Sequence, residues 1–110
     1  MGDVVAEYRL VVITCPSGEE AERIARTVVE ERLAACVNVV PGVTSYYWWE
    51  GRVQQDAEWL LLAKTASARL EALTARVREL HSYEVPEVVA LPIVGGSPGY
   101  LDWIAASLEG

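Results

Sequence analysis

The fold class this sequence predicts is an α+β sandwich of four antiparallel strands with helices on one face, and three observations predict it. Apolar, β-branched segments and amphipathic helical stripes follow one another in the order strand, helix, strand, strand, helix, strand. Only Glu50-Gly51 separates the two middle strands, a hairpin length that makes them antiparallel. At 110 residues the chain suits a single domain over 1–110 and is too short for two.

Tyr8 to Thr14 is an unbroken apolar run stopped by Cys15-Pro16, the pattern of a strand buried on both faces. Ser17-Gly18-Glu19-Glu20 has capping-box spacing, in which the Ser17 hydroxyl accepts from the Glu20 N–H and the Glu20 carboxylate reaches back. Ala21, Ile24, Ala25, Val28, Val29 and Leu33 then form one stripe, with Glu22, Arg23, Arg26, Glu30 and Glu31 facing water, so this segment is an amphipathic helix. Cys36 to Val40 and Val43 to Trp49 make one long strand, broken or bulged at Pro41-Gly42 and at a sheet edge for part of its length. Arg52 to Thr65 return beside it, carrying the apolar core Trp59-Leu60-Leu61-Leu62-Ala63.

From Ser67 a second helix places Leu70, Leu73, Val77 and Leu80 on one face and stops near His81-Ser82. Val88 to Ile93 form the last strand, which Pro92 confines to an edge because it cannot donate to a ladder. Ser97-Pro98 then start a short closing helix with Tyr100, Leu101, Ile104 and Leu108 on its apolar side. This order is that of a ferredoxin-like sandwich with both main helices on one face and an additional C-terminal helix.

The run Tyr46-Tyr47-Trp48-Trp49 puts Tyr46 and Trp48 on one side of its strand and Tyr47 and Trp49 on the other. Both sides need cover. With the main helices on one face, the other is expected to close against further copies of the chain. Six large apolar side chains left wet there would forgo about 1.5–3 kcal/mol each, comparable in sum to the stability of a small domain.

Nine basic residues against sixteen acidic give a net charge of −7. That field repels phosphate backbones and anionic lipid, so neither nucleic acid nor a membrane is an expected partner. Met1 to Val12 lacks the basic start, long apolar run and small-residue cleavage site of a signal peptide, and no window has the length of a membrane span. Cys15 and Cys36 have no metal-type spacing and make no disulfide framework. Free thiols in a reducing cytoplasm are the expectation.

His81, the single histidine, falls at the C-terminus of the second helix. The helix dipole favours an imidazolium there, while imidazole and thiol are also the side chains that suit copper and zinc. Cys36 and Cys15 are each either small buried residues or thiolate ligands. Lys64 ends an apolar run and shares a strand face with Leu62, Leu60 and Glu58. It either holds an anion or a carboxylate such as Glu84 or Glu87, or guards an edge against aggregation. Tyr83, Trp48, Trp49 and Trp103 are packing residues first and ligand platforms second. No residue set pairs a nucleophile with a base, builds a phosphate loop or makes a dense metal cluster, so no enzymatic activity is expected.

Several joined motifs resemble the CutA-type divalent-cation tolerance proteins: Glu31-Arg32-Leu33-Ala34-Ala35-Cys36-Val37-Asn38, Ser45-Tyr46-Tyr47-Trp48-Trp49-Glu50-Gly51, Lys64-Thr65, His81-Ser82-Tyr83-Glu84-Val85-Pro86-Glu87, Leu91-Pro92 and Tyr100-Leu101-Asp102-Trp103. The resemblance implies a ferredoxin-like subunit, a tight homotrimer, a cytoplasmic location and a link to tolerance of divalent metals, with copper the usual candidate. It also implies that Cys36, Trp49, Lys64, His81, Tyr83 and Glu87 lie around clefts between subunits. His81 and Cys36 are then the expected metal ligands. Ser82 stands where the family has proline, which loosens the backbone after the helix. The alternative is a signalling trimer built like the PII regulators, binding a small molecule between subunits. Lys64 and Glu87 would line its pocket, with Tyr83 and Trp49 stacking on the ligand.

Overall fold

In the computed structural model, which describes residues 7–110, the predicted order of elements is present. It comprises β1 (Tyr8–Cys15), α1 (Gly18–Glu30), β2 (Cys36–Trp49), β3 (Arg52–Ala66), α2 (Leu70–Leu80), β4 (Val88–Pro92) and α3 (Pro98–Leu108), with a 3-10 turn at Ser67–Arg69 leading into α2. The first part of the Met1 to Val12 stretch lies outside the described residues. All pairings are antiparallel and the strand order is β2-β3-β1-β4. Pro92 is therefore on an edge strand, and β3 separates Cys36 on β2 from Cys15 on β1.

Register decides which side chains share a face. Val11, Ile13 and Cys15 of β1 with Leu61 and Ala63 of β3 pack under Ala21, Ile24 and Val28 of α1 and Leu73 and Val77 of α2, forming the main core. The opposite face carries Leu10 and Val12, Leu60 and Leu62, and Val89 and Leu91. α3 covers only one end of it, where Ile104 and Leu108 meet Tyr8 and Ala66. Val89 and Leu91 remain exposed.

β2 and β3 run past the end of β1, which pairs only with residues 59–66 of β3. Their outer halves form a two-stranded ribbon that lengthens the molecule to 47 × 33 × 23 Å. The radius of gyration is 14.9 Å, against about 13 Å for a compact chain of this length. The ribbon turns on two left-handed residues, Glu50 at φ 50° and Gly51 at φ 77°, as a two-residue hairpin requires. Between Val40 and Val43, three steps of β2 oppose two steps of β3, Leu60 to Glu58. This is the expected bulge, with Gly42 at φ 78°. It reverses parity, so Tyr47 and Trp49 share the face of Val40 and Asn38 rather than the helix side.

Two local details differ from expectation. α1 ends at Glu30, and Leu33 is not part of it. The Leu33 N–H bonds Val28 O and the Arg32 N–H bonds Val29 O, with Arg32 at φ 59°, a Schellman stop made without glycine. At the other end the Ser17 hydroxyl accepts from the Glu20 N–H at 3.2 Å as expected. The Glu20 carboxylate, however, turns inward instead of closing the box.

Gly18, at the start of α1, lies directly on the Trp59 ring, and a Cβ there would stand 2.6 Å from a ring carbon. Gly18→Ala must displace a side chain packed on the core. We expect it to lower stability by about 1–3 kcal/mol in denaturant unfolding, as overpacking does.

Candidate functional site

The end of β1, the first turn of α1 and the residue capping α2 converge on one buried cluster. Cys15 is the last residue of β1, and Glu20 sits four residues before Ile24 and eight before Val28, on the buried stripe of α1. His81 caps α2, its backbone N–H bonded to Val77 O. Ligand atoms of Cys15, Glu20 and His81 all lie within 4.8 Å of one another, and all three residues are buried.

Hydrogen bonds fix the imidazole. His81 Nε2 stands 2.7 Å from Thr14 O, a carbonyl that can only accept, so Nε2 carries the proton. Nδ1 accepts from the Tyr83 N–H at 3.0 Å. Glu20 Oε2 accepts from the Ser82 N–H at 3.2 Å and lies 3.3 Å from His81 Nδ1. In this tautomer the Glu20 oxygen stands beside Nδ1, whose lone pair the Tyr83 N–H already takes, so a metal cation held at Nδ1 must displace that N–H. A proton on Nδ1 makes an ion pair with Glu20 and deprives the Tyr83 N–H of its acceptor.

Burial, with the charges of Glu20 and then Glu58 adding to it, pushes the Cys15 thiol up to about 12. The native thiol is therefore protonated and inert near neutral pH. Because its folded value lies above the ordinary 9.0, this group favours the native state below about pH 9, and that contribution is lost as pH rises through about 12. Iodoacetamide at pH 8 is expected to spare Cys15 in the native chain and alkylate it after unfolding, as peptide mass mapping will read.

A cleft of about 780 Å³ lies on the other side of Tyr83, between the ribbon and the loop that follows α2. Trp49, Tyr83 and Glu87 line it, as do Thr14 and Glu58. The Tyr83 ring lies 4.8 Å from that of His81, and its hydroxyl donates to Glu58 Oε2 at 3.3 Å. Burial followed by the Glu58 charge raises the Tyr83 hydroxyl to about 12.

Of the residues singled out in the sequence, Trp49, Tyr83 and Glu87 come together and Lys64 does not join them. Lys64 donates to Asn38 Oδ1 and faces Leu10 and Cys36 across the sheet. Cys36 lies beside the Tyr100 hydroxyl, towards α3. His81 is bonded at Thr14, four residues along β1 from Leu10, or roughly 13 Å at strand rise. Within one protomer, therefore, Cys36 does not meet His81, and Lys64 does not meet Glu84 or Glu87. The expected grouping of Lys64 with Trp49, Tyr83 and Glu87 is not formed inside one chain. Glu20 is the partner that the sequence reading missed, and Cys15, weighed there as a small buried residue or a thiolate ligand, stands beside it. Glu20 left one signal, an acid in register with the apolar stripe.

The fold and this cluster define a ferredoxin-like α+β domain with a buried thiol, imidazole and carboxylate at the end of its sheet. Residues 9–107 match the profile of the CutA1 divalent ion tolerance protein family, and the chain belongs to that family. It is 57% identical over 95 residues to the divalent-cation tolerance protein CutA of Thermus thermophilus, covering 86% of this chain and 92% of that protein. It is 53% identical over 98 residues to the chloroplastic protein CutA 1 of Oryza sativa, covering 89% of this chain and 55% of that longer protein. The solved Cut A1 structure from Thermus thermophilus superposes with a TM-score of 0.87 at 56% identity, over 88% of this chain and 94% of that one.

Proposed function

We propose that this chain is a non-enzymatic homotrimer that binds a divalent metal ion, copper foremost, through His81 with Cys15 and Glu20, in a reducing cytoplasm. The buried triad carries the metal reading. Imidazole, thiol and carboxylate are a donor set suited to copper or zinc, and three protein ligands leave a fourth position open. The Nε2–H bond to Thr14 O is the outer contact that orients a metal-binding histidine. The carboxylates that oppose a thiolate favour a cation, and a bound ion displaces the thiol proton.

Self-association is supported by the half-covered sheet face and by the ribbon, where Trp48 and Val53 pair opposite each other and are 75% and 58% exposed. The absence of enzymatic activity is supported by Cys15 itself. A buried thiol pushed this far up is not an activated nucleophile. Both cysteines are free, which suits a reducing compartment, and no helix among the described residues is long and apolar enough to cross a membrane.

Calorimetric titration with Cu²⁺, and with Zn²⁺ as a redox-silent counterpart, tests the metal reading. One ion per chain is expected, bound more tightly as pH rises because protons are released. Losing an outer contact alone costs 10–100-fold, so Cys15→Ala and Glu20→Gln should each weaken binding about a hundredfold or more. Cys36→Ala should leave binding unchanged. Unaltered affinity in the first two variants contradicts the site.

A further inference from the structure

Two ligand groups of the buried cluster also hold the turn that follows α2. His81 Nδ1 accepts from the Tyr83 N–H at 3.0 Å, and Glu20 Oε2 accepts from the Ser82 N–H at 3.2 Å. The ring's other nitrogen offers no substitute, since Nε2 donates its proton to Thr14 O at 2.7 Å. Nδ1 is moreover the nitrogen beside Glu20, at 3.3 Å.

The two amides differ in what a cation does to them. A carboxylate has lone pairs enough to accept from the Ser82 N–H and bind a cation together, whereas an imidazole nitrogen has only one. Only the Tyr83 N–H must let go. That bond is the last backbone tie before β4: among the described residues, 84–87 make no backbone hydrogen bond outside the β4 ladder. Tyr83 is exposed rather than buried in the protomer, so water is at hand for the freed N–H.

We propose that the Tyr83 N–H is a built-in competitor for the metal site: a divalent cation on Nδ1 and the bonded turn exclude each other, so that occupancy of the buried cluster releases the segment from Tyr83 to β4. This rests on the metal reading given above. Ser82 stays tied to Glu20 and marks where the release begins. The chain thereby carries the state of a buried site to the connection between α2 and an edge strand.

Zn²⁺ alone is the probe, on the whole chain in its solution assembly. Calorimetry reads uptake, and NMR reads the nitrogen–nitrogen coupling across the Tyr83 N–H···Nδ1 bond. The coupling should be present after EDTA treatment and vanish as Zn²⁺ saturates the chain, while hydrogen exchange at the Tyr83 amide speeds up about tenfold or more. Replacing Tyr83 by the corresponding α-hydroxy acid puts an ester oxygen where the N–H stood and keeps the side chain. Zn²⁺ affinity should then rise about 3- to 10-fold, the worth of one neutral hydrogen bond. Zn²⁺ uptake with the coupling intact overturns this proposal and leaves the metal reading standing, whereas no uptake overturns both. Unchanged or weaker affinity in the folded ester variant also overturns the competition. Should that variant not fold, the coupling in the unsubstituted chain decides.

Discussion

Replacing His81 with alanine is expected to cost about 2–5 kcal/mol of unfolding free energy, the range for truncating a large side chain in a packed interior and leaving its buried hydrogen-bond partners unsatisfied. Its side chain is fully buried, and that of Glu20 is 8% exposed. Removing the ring strips Thr14 O of its donor and the Tyr83 N–H of its acceptor, and leaves Glu20 with only the Ser82 N–H. Three elements lose their common tie at once, because β1, α1 and the turn after α2 meet at this imidazole. Urea unfolding of the metal-free protein reads the loss. The double variant with Glu20→Gln should recover part of it, since the stranded charge is then gone. A loss below about 1 kcal/mol would show that the cluster is not a structural tie.

Leu62→Asp is the second large effect. Leu62 pairs with Val12 and Asn38 at the centre of the sheet face that α3 leaves bare. If that face closes against other copies, the substitution buries an unpaired carboxylate in every protomer, at several kcal/mol each. The trimer's dissociation constant should rise about a thousandfold or more. Sedimentation velocity should then show free protomers at concentrations where the unsubstituted chain is assembled. Far-UV circular dichroism should change little, because the helix-side core of Ile13, Leu61 and Leu73 is untouched.

Strand and helix identity, the antiparallel hairpin, the bulge at Pro41-Gly42 and the edge position of Pro92 all follow from local rules, and local rules sufficed. The end of α1 did not, because the apolar stripe continues to Leu33 while the backbone stops in a left-handed arginine stabilised by two hydrogen bonds. The capping box was half legible: Ser17 obeys it, but Glu20 has a stronger tertiary partner in the turn at His81 and Ser82.

The site was harder to read than the fold for a related reason. His81 was visible as a lone histidine at a helix end, yet nothing local says that a loop 61 residues after Glu20 folds back over the end of β1. Chain spacing also gives no hint that Lys64 and Tyr83 lie toward opposite ends of the sheet. That follows only from the register, which sets Lys64 against Leu10 and leaves the Tyr83 loop bonded at Thr14 and Glu58.

The proposed homotrimer requires the apolar back of the sheet to be shut by sister molecules, and the mass of the unsubstituted chain at micromolar dilution tests this most directly. Equilibrium sedimentation should give three times the 12.1 kDa of one chain. A well-folded particle of one chain's mass under those conditions would contradict it.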